Sequence, residues 1–345
     1  MTELFEDSSL NNDLKEVQAL RKKLRLLVEN LHKVIVGQDR VILESVLSLL
    51  CQGHVLLEGV PGLAKTLLVR TIGELMSLEF SRIQFTPDLM PTDILGAEII
   101  EEDPDTGRRS FKFIRGPIFC QILLADEINR TPPKTQSALL EAMQEKTVTI
   151  GGETHHLELP FFVMATQNPI EQEGTYPLPE AQMDRFLMNI RLDYPTPEQE
   201  EDIVLMTTVQ KGVNLEPVFD QAEILNYQAL VAKLPVARHV ARYAVNLVTA
   251  TRPKGNFTYD FVRQFVNWGA GPRASQNIVM AAKAHAIVRE RLHASIEDVQ
   301  SVCLPILRHR MKLSFEAESE GLTVDDIVQR LLKVVPIPEP DKKKK

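Results

Sequence analysis

Short apolar runs alternate with helical patterns between residues 33 and 200, and this alternation limits the possible folds more than any other feature of the sequence. The runs are too short for helices and are rich in Val, Ile, Leu and Phe, as in strands buried on both faces. Such alternation is typical of a parallel sheet covered by helices on both faces. We predict an α/β core with five parallel strands, at 55–57, 80–85, 121–125, 161–165 and 187–192.

Two hairpins are predicted inside this core. Residues 97–100 and 110–114 flank the turn at 103–107, and residues 147–150 and 155–159 flank two adjacent glycines. Turn residues of these types tolerate tight backbone geometry. The first hairpin forms an insert at about 96–115.

The segment before the core, 1–32, is predicted to be an amphipathic helix. Its apolar residues recur at helical spacing, namely Val17, Leu20, Leu24, Leu27 and Leu31. We expect this helix to pack on the domain, because two heptads are too few to indicate a coiled coil.

After the core the strand pattern fades. We predict a linker with helices at 201–230, an all-α lid domain at 231–335 and a disordered tail of proline and lysine at 336–345. Helices are indicated at 203–208, 222–234, 236–250, 276–291 and 296–308. Two pairs of residues resemble capping boxes that begin helices, Ser295 with Asp298 and Thr323 with Asp326.

Charge and composition exclude several classes of protein. The net charge of −8 argues against a broadly basic surface for nucleic acid. Cys51, Cys120 and Cys303 are far apart without CxxC spacing, which favours neither disulfides nor zinc and fits a reducing cytoplasm. The acidic N-terminus does not resemble a secretory signal, and no apolar run reaches the roughly 18–20 residues that span a bilayer. We therefore predict a cytoplasmic protein without a membrane span.

The first predicted strand runs directly into a loop, Gly-Val-Pro-Gly-Leu-Ala-Lys-Thr at 59–66, that opens a helix. Such a loop directs backbone amides and a helix N-terminus at phosphate, while Lys65 adds a positive charge and Thr66 a hydroxyl ligand for Mg²⁺. A glycine turn with a surface lysine is the alternative interpretation. The predicted phosphate-binding residues are Gly59, Pro61, Gly62, Leu63, Ala64, Lys65, Thr66 and Leu67.

Position 64 departs from the general pattern of such loops, which has glycine there. The methyl group of Ala64 is tolerable if the backbone is already helical at this residue.

Two carboxylates follow the third predicted strand. Asp126 is a candidate for the Mg²⁺ shell, and Glu127 is a candidate for orienting and deprotonating the attacking water of phosphoryl transfer. Alone, such a strand end is usually a solvated turn, but its place after the phosphate loop favours the functional interpretation. Asn168, after the fourth strand, is a candidate to share that water, although an asparagine before proline is often only a turn signal.

Four segments together resemble the MoxR branch of the AAA+ ATPases. They are the phosphate loop at 59–66, Ala-Thr-Gln-Asn-Pro at 165–169, Leu-Pro-Glu-Ala-Gln-Met-Asp-Arg-Phe at 178–186 and Gly-Pro-Arg-Ala-Ser at 271–275. The resemblance extends from about residue 34 to about residue 332 and implies a P-loop core with a helical lid. It also implies a homo-oligomeric ring, of hexameric type, with ATP and Mg²⁺ bound between subunits.

The resemblance further implies roles for single residues. Asn168 matches sensor 1, Arg185 the arginine finger that reaches a neighbour's γ-phosphate, and Arg273 sensor 2 on the lid. The segment that borders the adenine is matched by Val36, Gly37 and Gln38. From the sequence alone, a structural ion pair is an open alternative for Arg185. Whether Arg273 acts in its own or a neighbouring subunit also stays open.

Function is predicted from these sites and from the resemblance. We predict chaperone-like remodelling or maturation of partner proteins, and the resemblance suggests partners with von Willebrand factor A domains. The alternatives are a related motor acting on nucleic acid or in metal chelation, and a non-hydrolysing scaffold. The Asp126-Glu127 pair argues against the scaffold, because a site without turnover has no chemical need for Glu127.

The hairpin insert resembles one that faces the ring pore in related proteins, where Phe111 and Phe113 would contact substrate. An ordinary surface ribbon is the alternative. No metal beyond Mg²⁺ is expected, because the adjacent His155 and His156 point to opposite faces of a strand.

Overall fold

The computed structural model describes residues 2–102, 104–105, 107–169, 174–208, 214–255 and 257–340, with side chains described from residue 14 onward. Its strands, in chain order, are β1 (Val55–Glu58), β2 (Phe80–Gln84), β3 (Gly96–Glu102), β4 (Arg109–Arg115), β5 (Ile122–Asp126), β6 (Thr147–Ile150), β7 (Glu153–His156), β8 (Phe162–Gln167), β9 (Met188–Arg191), β10 (Val266–Trp268) and β11 (Lys312–Leu313).

The helices of the same residues lie before, between and after these strands. In chain order they are α1 (Thr2–Leu31), α2 (Asp39–Leu50), α3 (Lys65–Leu75), α4 (Pro91–Leu95), α5 (Pro133–Glu145), α6 (Glu180–Met183), α7 (Pro197–Thr208), α8 (Gln221–Lys233), α9 (Arg238–Ala250), α10 (Asp260–Phe265), α11 (Pro272–Val288), α12 (Ile296–Leu307), α13 (Phe315–Ser319) and α14 (Val324–Val334). In the described part of the chain, no helix is both long and apolar enough to cross a bilayer.

The core is a five-stranded sheet in the order β2-β5-β8-β1-β9, with every neighbouring pair parallel. The five predicted strands are therefore confirmed. Alternate side chains of β5 enter two separate apolar cores: Leu124 shares one with Leu68 of α3, and Leu123 shares the other with Leu139 of α5. Because both faces are covered, the central strands are apolar throughout, which explains their pattern in the sequence.

Both predicted hairpins are confirmed as antiparallel pairs, β3 with β4 and β6 with β7. The β3–β4 hairpin leaves Ile100 and Phe111 exposed, at 63% and 73%. Phe113 is instead half-buried and stacks on His155 of β7, with ring centroids 4.2 Å apart. The two hairpins thus pack against each other, and Phe111 is the more exposed of the two phenylalanines.

The N-terminal helix packs onto the core as expected. In α1, Leu20, Leu27 and Leu31 are fully buried in the same apolar core that takes side chains of α2 and α3. The exposed face of α1 carries charged side chains such as Arg25 and Glu29, which form an ion pair at 3.1 Å across one helical turn.

The C-terminal region is helical, and both proposed capping boxes form. The hydroxyl groups of Ser295 and Thr323 accept hydrogen bonds from the amides three residues later, each at 3.3 Å. A small antiparallel pair, β10 with β11, was not predicted, because strands of two or three residues are too short to show periodicity. Residues 336–340 lack helix and strand, and 341–345 lie outside the described residues.

Two buried arginines fix this helical region to the open edge of β9. Arg308 donates to the carbonyl of Asn189 at 2.6 Å, and Arg310 donates to the carbonyls of 186 and 187. Asp325 balances Arg308 through two bonds of 2.9 Å, and Asp184 balances Arg310 at 2.7 Å. Burial lowers the pKa of Arg310 to about 10, and Asp184 opposes that effect. These bonds satisfy carbonyl groups that an edge strand would otherwise leave unpaired.

Candidate active site

The phosphate loop connects the end of β1 to the start of α3, at the carboxyl edge of the sheet. Gly62 has φ of 88°, a left-handed backbone conformation that favours glycine. Lys65 Nζ donates to the carbonyl of Gly59 at 2.5 Å and thus lies over the loop. Burial lowers the pKa of Lys65, while the charges of Asp126 and Glu127 raise it. The ammonium group is therefore within electrostatic range of both carboxylates.

The helical backbone that would accommodate the methyl group of Ala64 is not observed. Its backbone is left-handed, with φ of 54° and ψ of 25°, and it caps the N-terminus of α3 instead of continuing a helix. Left-handed geometry costs a residue with a Cβ atom about 1–2 kcal/mol. Alanine is thus tolerated here with backbone strain, at the position where the general loop pattern has glycine.

A buried threonine fixes the turn that carries the two carboxylates. Asp126 ends β5, and Glu127 follows with a left-handed φ of 59°. The hydroxyl group of Thr166, on β8, donates to Asp126 Oδ1 at 2.6 Å and accepts from the Glu127 amide at 2.8 Å. Residues in such backbone geometry persist only where their surroundings hold them, and they concentrate at functional sites.

Side chains of the edge strand β2 contact both carboxylates. Arg82 Nη2 pairs with Asp126 Oδ2 at 2.7 Å, and Gln84 Nε2 donates to Glu127 Oε2 at 2.8 Å. Arg130 also pairs with Glu127 Oε2, at 3.1 Å. The sequence analysis missed Arg82 and Gln84, as well as the bridging threonine. The available signal was the polar alternation at the end of the second strand, but its neighbour in the sheet was unknown.

The predicted residues at the carboxyl edge come together because of the strand order. β8 lies between β5 and β1, so Asn168, which directly follows β8 and is 6% exposed, lies between the ends that carry Asp126 and Lys65. Thr66 is half-buried in the first turn of α3. We call this group at the carboxyl edge the cradle; its members are Lys65, Thr66, Asp126, Glu127 and Asn168.

The predicted adenine segment lies beside the end of β9. Gly37 and Gln38 both have left-handed φ, at 65° and 60°, immediately before α2. Gln38 Nε2 donates to the carbonyl of Asp193 at 3.2 Å, and a Cβ atom on Gly37 would lie 2.6 Å from Nε2 of Gln199 in α7. Val36, predicted to border the base, is half-buried, and Leu67, predicted among the phosphate-binding residues, is exposed.

Arg185 and Arg273 do not join the cradle of their own chain. Arg185 precedes β9, whose first residue, Met188, pairs with the first residue of β1, Val55. It therefore lies at the amino edge of the sheet, and a four-residue strand alone spans roughly 13 Å. Arg273, at the start of α11, pairs with Asp184 at 3.3 Å and thus reaches the same edge.

The structure instead brings the two arginines to each other. Both line a cavity of about 370 Å³, together with Lys146 and Asp184. Among the residues that the structure describes, no carboxylate lies within 4 Å of the Arg185 guanidinium. The alternative interpretation of Arg185 as a structural ion pair is therefore not supported. We call this space the basic cavity, after its cations Lys146, Arg185 and Arg273.

The buried histidine at the amino edge is neutral. His54 Nδ1 accepts from the Val163 amide at 3.0 Å, and Nε2 donates to the carbonyl of Met143 at 3.1 Å. Burial lowers the pKa of His54 to about 4; the Met143 contact opposes this effect, and the charge of Lys146 adds to it. Within the described part of the chain, no group of three His, Cys, Asp or Glu side chains forms a metal site.

Comparison with known families agrees with this arrangement. Residues 54–188 match the model of the ATPase family associated with various cellular activities, and residues 261–331 match an AAA lid domain. The first match covers the strands that form the cradle, and the second covers β10, β11 and the helices around them.

Individual proteins resemble almost the whole chain. Chaperone MoxR1 of Mycobacterium tuberculosis is 45% identical over 89% of this chain and 80% of its own length. Uncharacterized protein YeaC of Bacillus subtilis is 42% identical over 90% of this chain and 93% of its own length. Protein MoxR of Paracoccus denitrificans is 31% identical over 89% of this chain and 94% of its own length. The crystal structure of a candidate ATPase from Cytophaga hutchinsonii superposes with a TM-score of 0.88 at 40% identity, covering 96% of this chain and 99% of that one.

Proposed function

Because the chain belongs to the MoxR family of AAA+ ATPases, we propose that it binds ATP in the cradle and hydrolyses it there. One observation carries the proposal: the parallel sheet, in which only β8 separates β1 from β5, brings the loop with Lys65 and the Asp126-Glu127 pair to the same carboxyl edge. The loop amides and the N-terminus of α3 suit the phosphate groups. The apolar surface of the half-buried Val36 suits the adenine.

The oxygen groups of the cradle fit magnesium. The hydroxyl group of Thr66 and the carboxylate of Asp126 are hard oxygen ligands, of the kind that Mg²⁺ takes where it also binds phosphate. When bound, Mg²⁺ would neutralise charge on the phosphates. Because Thr166 and Arg82 already fix Asp126, that carboxylate is held in place for a ligand role.

Glu127 is the proposed base for hydrolysis. Its carboxylate would take a proton from the attacking water, and Asn168 would help to place that water. Gln84 and Arg130 both contact Oε2 of Glu127, so the other carboxylate oxygen is the one we assign to the water.

A ring completes the proposed site. Arg185 and Arg273 lie at the amino edge, across the sheet from the cradle of their own chain, so they can reach a nucleotide only on another subunit. An arginine supplied by a neighbour stabilises the charge that develops on the transferred phosphoryl group. We therefore propose a homo-oligomer, a hexamer by family resemblance, that works in the cytoplasm.

The proposed outcome of turnover is chaperone-like remodelling of partner proteins. The printed name of the relative from Mycobacterium tuberculosis, a chaperone, supports this role. The exposed Ile100 and Phe111 of the β3–β4 hairpin offer apolar surface for a protein substrate. The proposal that its partners carry von Willebrand factor A domains rests on the family resemblance alone.

Two substitutions test the ATPase proposal. Lys65→Ala should weaken ATP binding severely, because it removes charge compensation for the phosphates, whereas Glu127→Gln should bind ATP and lose turnover. Nucleotide binding by calorimetry and phosphate release should be measured for both variants. Glu141→Gln, an exposed glutamate of α5, is the matched control. Equal phosphate release by the wild type and Glu127→Gln would contradict the mechanism and favour a scaffold.

A further inference from the structure

The basic cavity contains more positive charge than the described residues of its own chain neutralise. It lies between the end of α5, the turn before β1, the start of β9 and the start of α11. Of its lining residues, Lys146, Arg185 and Arg273 are cations, and Asp184 is the single carboxylate. Asp184 already pairs with a further arginine, Arg310, at 2.7 Å. Among the described residues that line this space, three are cations and one is a carboxylate, which pairs with Arg273 and with Arg310.

Neither family resemblance nor sequence motif singles out Lys146, but its backbone fixes it at this cavity. It ends α5 in the left-handed region, with φ of 55° and ψ of 27°, where glycine is the usual residue. Its amide donates to the carbonyl of Ala142, and its carbonyl accepts from the amide of Leu157 at 2.9 Å. The side chain thus begins from a backbone that is held on both sides.

The ammonium group of Lys146 lacks an acidic partner. Nζ contacts the amide oxygen of Gln52 at 3.4 Å, and within the part of the chain described, no carboxylate lies within 4 Å of it. A lysine at a helix C-terminus also compensates the helix dipole, which is the competing explanation. That explanation accounts for a lysine at the end of α5 but not for two arginines beside it.

We propose that Lys146 is a third cation that the amino edge presents to the terminal phosphates of ATP bound in the cradle of a neighbouring subunit. The inference rests on the proposed function, in which Arg185 acts between subunits. Charge in phosphoryl transfer spreads over three equatorial oxygens, so more than one cation can bind it at once. The two guanidinium groups are planar donors, whereas the lysine is a compact point charge on a flexible stem.

Substitution of Lys146 separates the two explanations by rate. Lys146→Gln should retain ATP binding, since the phosphate loop of each chain is intact. It should lower kcat by roughly 10-fold to 100-fold. Lys146→Arg should keep most of the rate. Lys134→Gln, an exposed lysine at the other end of α5, is the matched control and should behave as wild type. A wild-type kcat for Lys146→Gln would overturn the proposal.

Mixing subunits tests whether the lysine acts in the neighbour. Lys65→Ala subunits keep a native Lys146, so mixed rings with Lys146→Gln subunits should recover part of the ATPase rate. Adding the Lys65→Ala mutation to chains that already carry Lys146→Gln should abolish that recovery. Mass spectrometry should establish that the mixed rings form. Mixed rings that form but recover no activity would overturn the action of Lys146 between subunits and leave it a structural residue.

A parallel mixture shows which idea has failed. Arg185→Ala subunits should be combined with Lys65→Ala subunits under the same conditions. If that pair recovers activity and the Lys146 pair does not, only the inference about Lys146 is wrong. If neither pair recovers in rings that form, the proposed site between subunits is wrong as well.

Discussion

The two edges of the central sheet differ in how far their charged side chains are paired within the chain. At the carboxyl edge, Asp126 and Glu127 are held by Arg82, Gln84 and Thr166 of the same chain. At the amino edge, Asp184 pairs with Arg273 and Arg310, and among the described residues no carboxylate lies within 4 Å of Lys146 or Arg185. The carboxylates at the carboxyl edge are paired within the chain. The cations at the amino edge leave positive charge that an anion from outside the chain could neutralise.

Under the proposed function, this difference separates the residues that would work within a subunit from those that would work between subunits. Groups that fold against partners of their own chain form a site that exists before assembly. Groups without such partners remain available, and a desolvated anion such as nucleotide phosphate would stabilise them. Since the two edges are separated by the length of the strands, one molecule cannot bring its own edges together.

The largest expected effect tests whether the amino edge of one subunit acts on the cradle of another. Arg185→Ala should lower kcat about 10²-fold to 10³-fold while ATP binding is retained, because the loop and Lys65 remain intact. The exposed Arg238 at the start of α9 supplies the control Arg238→Ala. An Arg185→Ala protein that turns over ATP at the wild-type rate would show that the amino edge has no part in hydrolysis.

A second prediction tests whether contacts within the chain hold the two carboxylates at the carboxyl edge. Thr166→Val keeps the shape of the side chain but removes both hydrogen bonds that fix the Asp126-Glu127 turn. We expect kcat to fall roughly 10-fold and the free energy of unfolding to fall by about 1–3 kcal/mol, because buried groups lose their partners.

Thr166→Ser is the control for this loss, since it keeps the hydroxyl group. Steady-state ATPase assays and urea unfolding of both variants measure the two effects. If Thr166→Val and Thr166→Ser show equal rates and stability, the bridge does not hold the turn.

A third, smaller effect concerns charge at the amino edge. The pKa of His54 is about 4 in the folded protein and about 6.5 in an unfolded chain. Between these values the unfolded chain binds a proton that the folded chain does not. The contribution of His54 to stability is therefore fully present above about pH 6.5 and falls as the pH is lowered, by about 1 kcal/mol from about pH 7.5 to about pH 5.5.

Urea unfolding at several pH values checks this sign. His54→Gln should show a shallower loss of stability on acidification than the wild type. The exposed His293 offers the control His293→Gln, which should keep the wild-type slope. Identical slopes for wild type and His54→Gln would contradict a neutral, buried histidine at this edge.

The smallest effect tests backbone strain in the phosphate loop. Ala64→Gly removes a Cβ atom from a left-handed residue, which relieves about 1–2 kcal/mol, but glycine also makes the unfolded chain more flexible. The net change in the free energy of unfolding should be stabilising and within about 1 kcal/mol, with ATP binding retained. Thermal unfolding measures it, and a clear loss of stability would show that the left-handed geometry is wrong.

Local patterns were sufficient to predict much of this molecule. Strands such as β5 are uninterrupted apolar runs, and capping boxes such as Ser295 with Asp298 lie within four residues. The phosphate loop is likewise contiguous with the strand before it and the helix after it, and these neighbours identify it in the sequence. By contrast, Arg82 reaches Asp126 from a position 44 residues away, so no local pattern pairs them.

Other features escaped because they depend on backbone geometry or on very short elements. The left-handed backbone of Ala64, with φ of 54°, follows from how the loop enters α3. The β10–β11 pair is too short to show a period. The bonds from Arg308 to β9 and from Arg310 to the carbonyl of Phe186, just before β9, cross more than a hundred residues.

The amino-acid sequence alone determined the kind of sheet, the loop that faces phosphate and the identity of the two carboxylates, because each depends on neighbours within a few residues. Only the tertiary structure decided the strand order, and with it that Lys65 and Asp126 share one edge while Arg185 lies at the other. The physical reason is that hydrogen bonding between parallel strands and burial of their side chains act between distant segments. A pattern along the chain reports which residues are buried, but not which strand lies beside which.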